Sequence, residues 1–240
     1  MKNLRTILIA GICLAITACI NGQMHRTVTG DHNVVRKDRE AGHFTGIRVN
    51  SGIDVYLKQT GSESIVVEAD ENLHEYIKTE IRDGILHVYS DANIRGAEMK
   101  RVYVTMKDIE SAKTTSAGDI IGESPVNATR LELGSSSAGD IKLEVHATEI
   151  DADLNSSGDM TLSGDADKLT ANLSSAGDLN AFNLEVKKAD ISVSSAGNAD
   201  VNVTEDLIAR ASSAGEINYR GNPSTVDAHS SSAGGIHKRQ

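Results

Sequence analysis

The chain has 240 residues, with 24 Lys and Arg against 34 Asp and Glu, a formal net charge of −10 and a pI near 5.2. That balance removes the electrostatic case for nucleic acid or anionic lipid as a partner. Only two cysteines occur, Cys13 and Cys19, so nothing after residue 19 can form an internal disulfide and stability must come from packing.

At the N terminus, Lys2 and Arg5 precede an apolar run from Ile7 to Ala18. The run is too short to span a bilayer and reads as a signal peptide over residues 1–18. Its end, Ile16-Thr17-Ala18-Cys19, resembles a bacterial lipobox, with Cys19 as the lipidation site. Ordinary secretory cleavage near Gly22-Gln23 is the alternative route. Either route exports the protein, and loss of Lys2 and Arg5 takes the charge from −10 to −12. The expected location is the cell envelope, as an outer-membrane lipoprotein facing the periplasm or the surface. Its only contact with the membrane would be the lipid. Residues 19–43 are polar and charged without an apolar period, and read as a lipid-anchored, weakly ordered tether.

Residues 44–110 carry strand grammar with imperfect repeats. Ile47, Val49, Ser51, Ile53 and Val55 alternate, and Asp54 falls where an acid recurs in the later repeats. Ile65 to Glu68 reads as a strand, Asp70 to Leu73 as a turn or a single helical turn, and Asp83-Gly84 as a hairpin turn. Arg101 to Met106 alternates again. This part is expected to be an irregular β-rich cap, because an open solenoid end exposes unpaired strand edges.

From residue 111 to 240 a small-residue phrase recurs seven times: Ser116-Ala117-Gly118-Asp119, Ser137-Ala138-Gly139-Asp140, Ser156-Ser157-Gly158-Asp159, Ser175-Ala176-Gly177-Asp178, Ser195-Ala196-Gly197-Asn198, Ser213-Ala214-Gly215-Glu216 and Ser232-Ala233-Gly234-Gly235. The glycine-to-glycine steps are 21, 19, 19, 20, 18 and 19 residues. A period of that length without helical patterning marks a solenoid. Around the fourth copy, Leu169, Ala171, Leu173, Gly177, Leu179 and Ala181 share one parity and polar residues the other, as half-buried strands require. Pro125 and Pro223 fall between strands. The expected fold is therefore all-β: a single-stranded right-handed parallel β-helix of about 19–20 residues per coil. Continued through the turns, the same parity expects Ser116, Ser137, Ser156, Ser175, Ser195, Ser213 and Ser232 to face inward as a hydroxyl ladder. It expects the glycines to supply positive φ or close backbone approach.

With these residues the chain resembles the GIN-domain family, auto-transporter adhesin head domains common among envelope lipoproteins of Bacteroidota. The likeness rests on Phe44 to Leu57, on Glu75 to Val88 with its Asp-Gly turn, on the recurring Ser-Ala-Gly-Asp bends, and on Ile217 to Pro223. It covers about residues 44–236 as one continuous domain. The resemblance implies a β-helical fold, an exported location and an adhesion role, and it brings no catalytic residues. The later copies depart from the pattern at Asn198, Glu216 and Gly235.

The acids Asp119, Asp140, Asp159 and Asp178 are the candidate functional side chains. In a row they could offer oxygens to Ca²⁺, but the nonapeptide repeat of β-roll calcium sites is missing, and exposed turn acids are the favoured reading. Neither a metal nor a cofactor is expected. The eight histidines show no metal-binding spacing, and no nucleophile elbow, P-loop or dinucleotide fingerprint occurs. No catalytic residue is assigned. The functional expectation is a non-enzymatic binding or adhesion module whose rigid, acidic, Ser/Asp-rich surface meets a glycan or protein partner. The alternatives are a self-associating structural lipoprotein, possible as a homo-oligomer, and, less favoured, a β-helix carbohydrate-active enzyme.

Overall fold

The computed structural model describes residues 26–240, so the signal peptide and the Cys19 lipidation site lie outside the described residues. Strands β1 (Thr27–Thr29), β2 (Val34–Arg39), β3 (Gly46–Val49), β4 (Asp54–Gln59) and β5 (Ser64–Asp70) lead to one 3-10 turn at Glu71–Leu73. Then come β6 (Ile77–Arg82), β7 (Ile85–Ser90), β8 (Asn93–Gly96), β9 (Lys100–Met106), β10 (Ser111–Thr114) and β11 (Ile120–Gly122). The long strands β12 (Val126–Ser136), β13 (Asp140–Asn155), β14 (Asp159–Leu173), β15 (Asp178–Val193) and β16 (Asn198–Ala211) run around corners. The last are β17 (Glu216–Arg220), β18 (Thr225–Ser230) and β19 (Gly235–Lys238).

From β10 onward every neighbour is parallel and one coil away, so the chain winds as a parallel β-solenoid. The stretch before each Ser-Ala-Gly bend forms one side, here side A, and the stretch after it side B. A third side closes the coil. The core is columns of stacked side chains. Ala112, Leu133, Ala152, Ala171, Ile191 and Ala209 stack on side A. Ile120, Ile141, Met160, Leu179, Ala199 and Ile217 stack on side B. Small and branched residues mix because three sides converge on a narrow interior.

The bends differ from the parity expectation in an instructive way. All seven leading serines are exposed, and each has φ between 49° and 58°. The residue after it is also left-handed, with φ between 57° and 64°. Two successive left-handed residues, with the glycine N–H donating back to the residue before the serine (Gly215 to Ser212 at 2.9 Å), make a type I′-like bend. Such a bend turns both of its central side chains to solvent, so the expected inward serine ladder does not exist. Nor do the motif glycines supply the positive φ. They are the inward residues, pressed on the preceding coil: a Cβ on Gly158 would stand 2.7 Å from the Ser135 carbonyl carbon and 2.8 Å from its oxygen. The left-handed strain is offset by a ladder through the bends, in which Ala176 N–H donates to Ser195 O at 3.2 Å and Ala196 N–H to Ser213 O at 3.2 Å, with the same bond at the other copies. Two hydroxyls are buried beside the bends, Thr114 and Ser135. Each donates to the carbonyl of the bend glycine four residues on.

At the N-terminal end, coil order departs from chain order. β3 and β4 sit directly against β10 and β11, while β7 and β9 pair with their other edges. The later segment thus forms the outer coil. Beyond it the direction reverses: β6 lies antiparallel to β7, and β5 lies antiparallel to both β9 and β2. The hairpin at Asp83-Gly84 and the turn at Glu71–Leu73 follow the sequence reading. The tether expectation is corrected for residues 27–39, which hold β1 and β2. Alternate β2 side chains are partly shielded, and its backbone completes the sheet edge left by β5. Polar composition hid this strand because it covers an edge instead of filling a core.

Asp70 fastens the cap. It is fully buried and accepts backbone N–H groups from His32 at 3.2 Å, Glu98 at 3.1 Å and Met99 at 3.1 Å. Burial pushes its carboxyl up, but those N–H groups outweigh it and hold the group below the ordinary carboxylate range. Nearby, His74 is buried with Nε2 3.1 Å from Val35 O and 3.2 Å from Ala69 O, which fixes the proton on that nitrogen. Burial, with Lys37 and Arg39 beside it, lowers its pKa.

Candidate functional site: an acid column on side B

The residue after each bend glycine starts side B with its side chain outward, and parallel register stacks these residues. Asp54 pairs in line with Asp119, Asp119 with Asp140, Asp140 with Asp159, and Asp159 with Asp178. The four predicted acids therefore do come together, and Asp54 extends them to a column of five carboxylates about 4.8 Å apart. Arg101 stands at its foot, and Asn198 and Glu216 continue it. The Asp140 N–H donates to Asp119 Oδ1 at 3.3 Å.

Burial against neighbouring coils raises the pKa of Asp54, which Lys100 and Arg101 partly counter. Burial first, then the adjacent carboxylates, raises Asp119 (through Asp54), Asp140 (through Asp119 and Asp159) and Asp178 (through Asp159 and Asp200). The column thus holds crowded negative charge, and among the described residues no cation offsets the shifts of Asp119, Asp140 and Asp178. Among the described residues, no group of three or more His, Cys, Asp or Glu is placed to hold a metal ion.

Two residues further along side B a second outward column runs Tyr103, Tyr56, Ile121, Lys142, Thr161, Asn180, Asp200 and Asn218. Sequence reasoning missed it, because its members share a face but not a residue type. Tyr56 and Tyr103 stack with centroids 5.3 Å apart, and Arg101 lies 5.5 Å over Tyr56. Further along the columns, Asp159, Asp178, Asn180 and Asp200 line a shallow depression of about 320 Å³. A larger depression of about 770 Å³, lined by Asp108, Glu110, Arg130, Glu132 and His146, lies on another part of the surface.

One family model, described as "Putative auto-transporter adhesin, head GIN domain", matches residues 43–223, which span six of the seven bends and, β2 apart, the antiparallel N-terminal cap. The chain belongs to this family. Solved structures share the GIN-domain fold. A "putative adhesin" of Bacteroides fragilis is 19% identical with a TM-score of 0.82, covering 88% of this chain and 100% of its own. A "putative lipid binding protein" of Parabacteroides distasonis is 22% identical with a TM-score of 0.73, covering 90% and 100%. A "putative adhesin" of Parabacteroides merdae is 20% identical with a TM-score of 0.70, again covering 90% and 100%. No curated protein matches the chain significantly. The family and its neighbours point to an exported envelope protein with a binding role. Among the described residues no helix is long and apolar enough to cross a membrane.

Proposed function

We propose that this GIN-domain protein is a non-enzymatic binding module, held to the outer membrane by lipid on Cys19, whose side B meets a glycan or protein partner. The observation that carries the reading is the register of five carboxylates on one flat face beside a tyrosine pair and a run of amides and hydroxyls. Carboxylates and amides at a fixed spacing can accept and donate to the hydroxyls of an extended sugar chain, and tyrosine rings can cover its apolar faces. A rigid lattice adds specificity because little conformational entropy is lost on binding. The carboxylates lie in one column along the coil axis and do not oppose each other across a cleft, which is the arrangement that glycoside hydrolysis uses. A lipid-binding role has weaker support, since the interior columns are filled with side chains.

A glycan array probed with the chain from residue 26 onward tests the partner class. Binding that falls on Tyr56→Ala and on Asp140→Asn supports the reading. Binding indifferent to both moves the partner off side B. Cys19→Ala in the full chain should abolish palmitate labelling and release the protein from membranes.

A further inference from the structure

The two ends of the solenoid are treated differently. At the N-terminal end antiparallel strands β2, β5 and β6 cover the outermost coil. At the other end β18 and β19 form the last coil of the chain described, and all six residues of β18 are exposed. The buried column Leu131, Ile150, Leu169, Ala189 and Leu207 ends there in Val226, which is 43% exposed.

The free backbone groups on this edge can be assigned. Ser231 N–H donates to Ala211 O at 3.0 Å, so in the parallel ladder the odd-numbered residues of β18 turn toward β16. The N–H and C=O groups of Val226, Ala228 and Ser230 therefore point along the coil axis into the open edge. We propose that this edge pairs with the same edge of a second copy of the chain, as a tail-to-tail dimer with Ala228 on the two-fold axis. The free groups meet as reciprocal N–H···O=C pairs only where even-numbered residues stand opposite each other. Ala228 on the axis gives three such pairs, with Val226 opposite Ser230 on either side of it, whereas Asp227 or His229 on the axis gives two and sets like side chains opposite each other. That register also places outward-facing Asp227 of each copy opposite His229 of the other, twice by symmetry, so that an imidazole N–H can donate to each carboxylate on the outer face. Centring on Val226 or Ser230 loses this pairing. The dimer closes the ends of both cores and leaves the antiparallel caps pointing outward.

Sedimentation of the chain from residue 26 onward, up to millimolar concentration, reads the association. Ala228→Pro removes an N–H that no intrachain bond uses, so the monomer should keep its circular dichroism while the dimer is lost. His229→Asp, which sets carboxylates opposite each other, should weaken association by about tenfold. Adding Asp227→Lys to it should restore the affinity. A protein that stays monomeric throughout, or a dimer unchanged by Ala228→Pro and by His229→Asp, would overturn the proposal.

Discussion

Ser157 and Gly158 stand side by side, yet the structure asks opposite things of them. Ser157 has φ 61° and points to solvent, so its side chain costs backbone strain and contacts little. Gly158 lacks a positive φ but has backbone of the previous coil where a Cβ would be. Ser157→Gly should therefore leave stability unchanged or raise it by up to about 1 kcal/mol, since the entropy of a more flexible unfolded chain works against the relief of strain. Gly158→Ala should cost about 1–3 kcal/mol, because a backbone contact cannot move aside as a side chain can. Chemical denaturation of the two variants checks the sign, and a stabilising Gly158→Ala would refute the close-approach reading of the bends.

At the scale of the element, the cap and the acid column respond to pH in opposite directions. The His74 pKa is lowered by folding, so its contribution is intact above the unfolded value of about 6.5 and is lost as pH falls below it. Asp70 is also lowered, so its contribution persists to about pH 4 and is lost only in stronger acid. The raised column acids bind protons more tightly when folded, so their repulsion is relieved as pH falls through their folded pKa values. Between pH 7 and pH 5 the cap should dominate and Tm should fall. His74→Gln, which can keep a donor to the carbonyls, should flatten that slope. An unchanged slope would place the acid sensitivity elsewhere. Asp70→Ala should destabilise at neutral pH by about 1–3 kcal/mol for each N–H left without an acceptor.

For the whole molecule, the question is whether the acid column requires an ion. Two carboxylates about 5 Å apart in water repel by only about 0.8 kcal/mol, and salt reduces this further. A coil with a filled core can carry that load without a cation. Thermal unfolding in excess EDTA is therefore expected to match unfolding in millimolar Ca²⁺, apart from a shift that ordinary salt reproduces. A saturated site at 100 times its dissociation constant would instead add about 2.7 kcal/mol. A calcium-specific rise in Tm that Asp159→Asn abolishes would convert the column into a metal site.

The period of the bends and the alternation between them sufficed for the parallel solenoid, because each coil repeats the same local demands and pairs with its neighbour in sequence. For the same reason the stacking of Asp119, Asp140, Asp159 and Asp178 was legible. What the sequence concealed depended on contacts between unlike segments. The placement of β7 and β9 outside β3 and β4, the recruitment of polar β2 as a covering strand, and the junction of Tyr56 with Tyr103 are pairings of distant residues with no shared period. The bends show the same division within four residues. Small residues at fixed spacing announced a tight turn, but two left-handed residues rotated the serines outward and left the glycine against the preceding coil. Period-two parity assumes an extended backbone, and only the tertiary structure, through the hydrogen-bond ladder that holds those strained residues, decided where it stops.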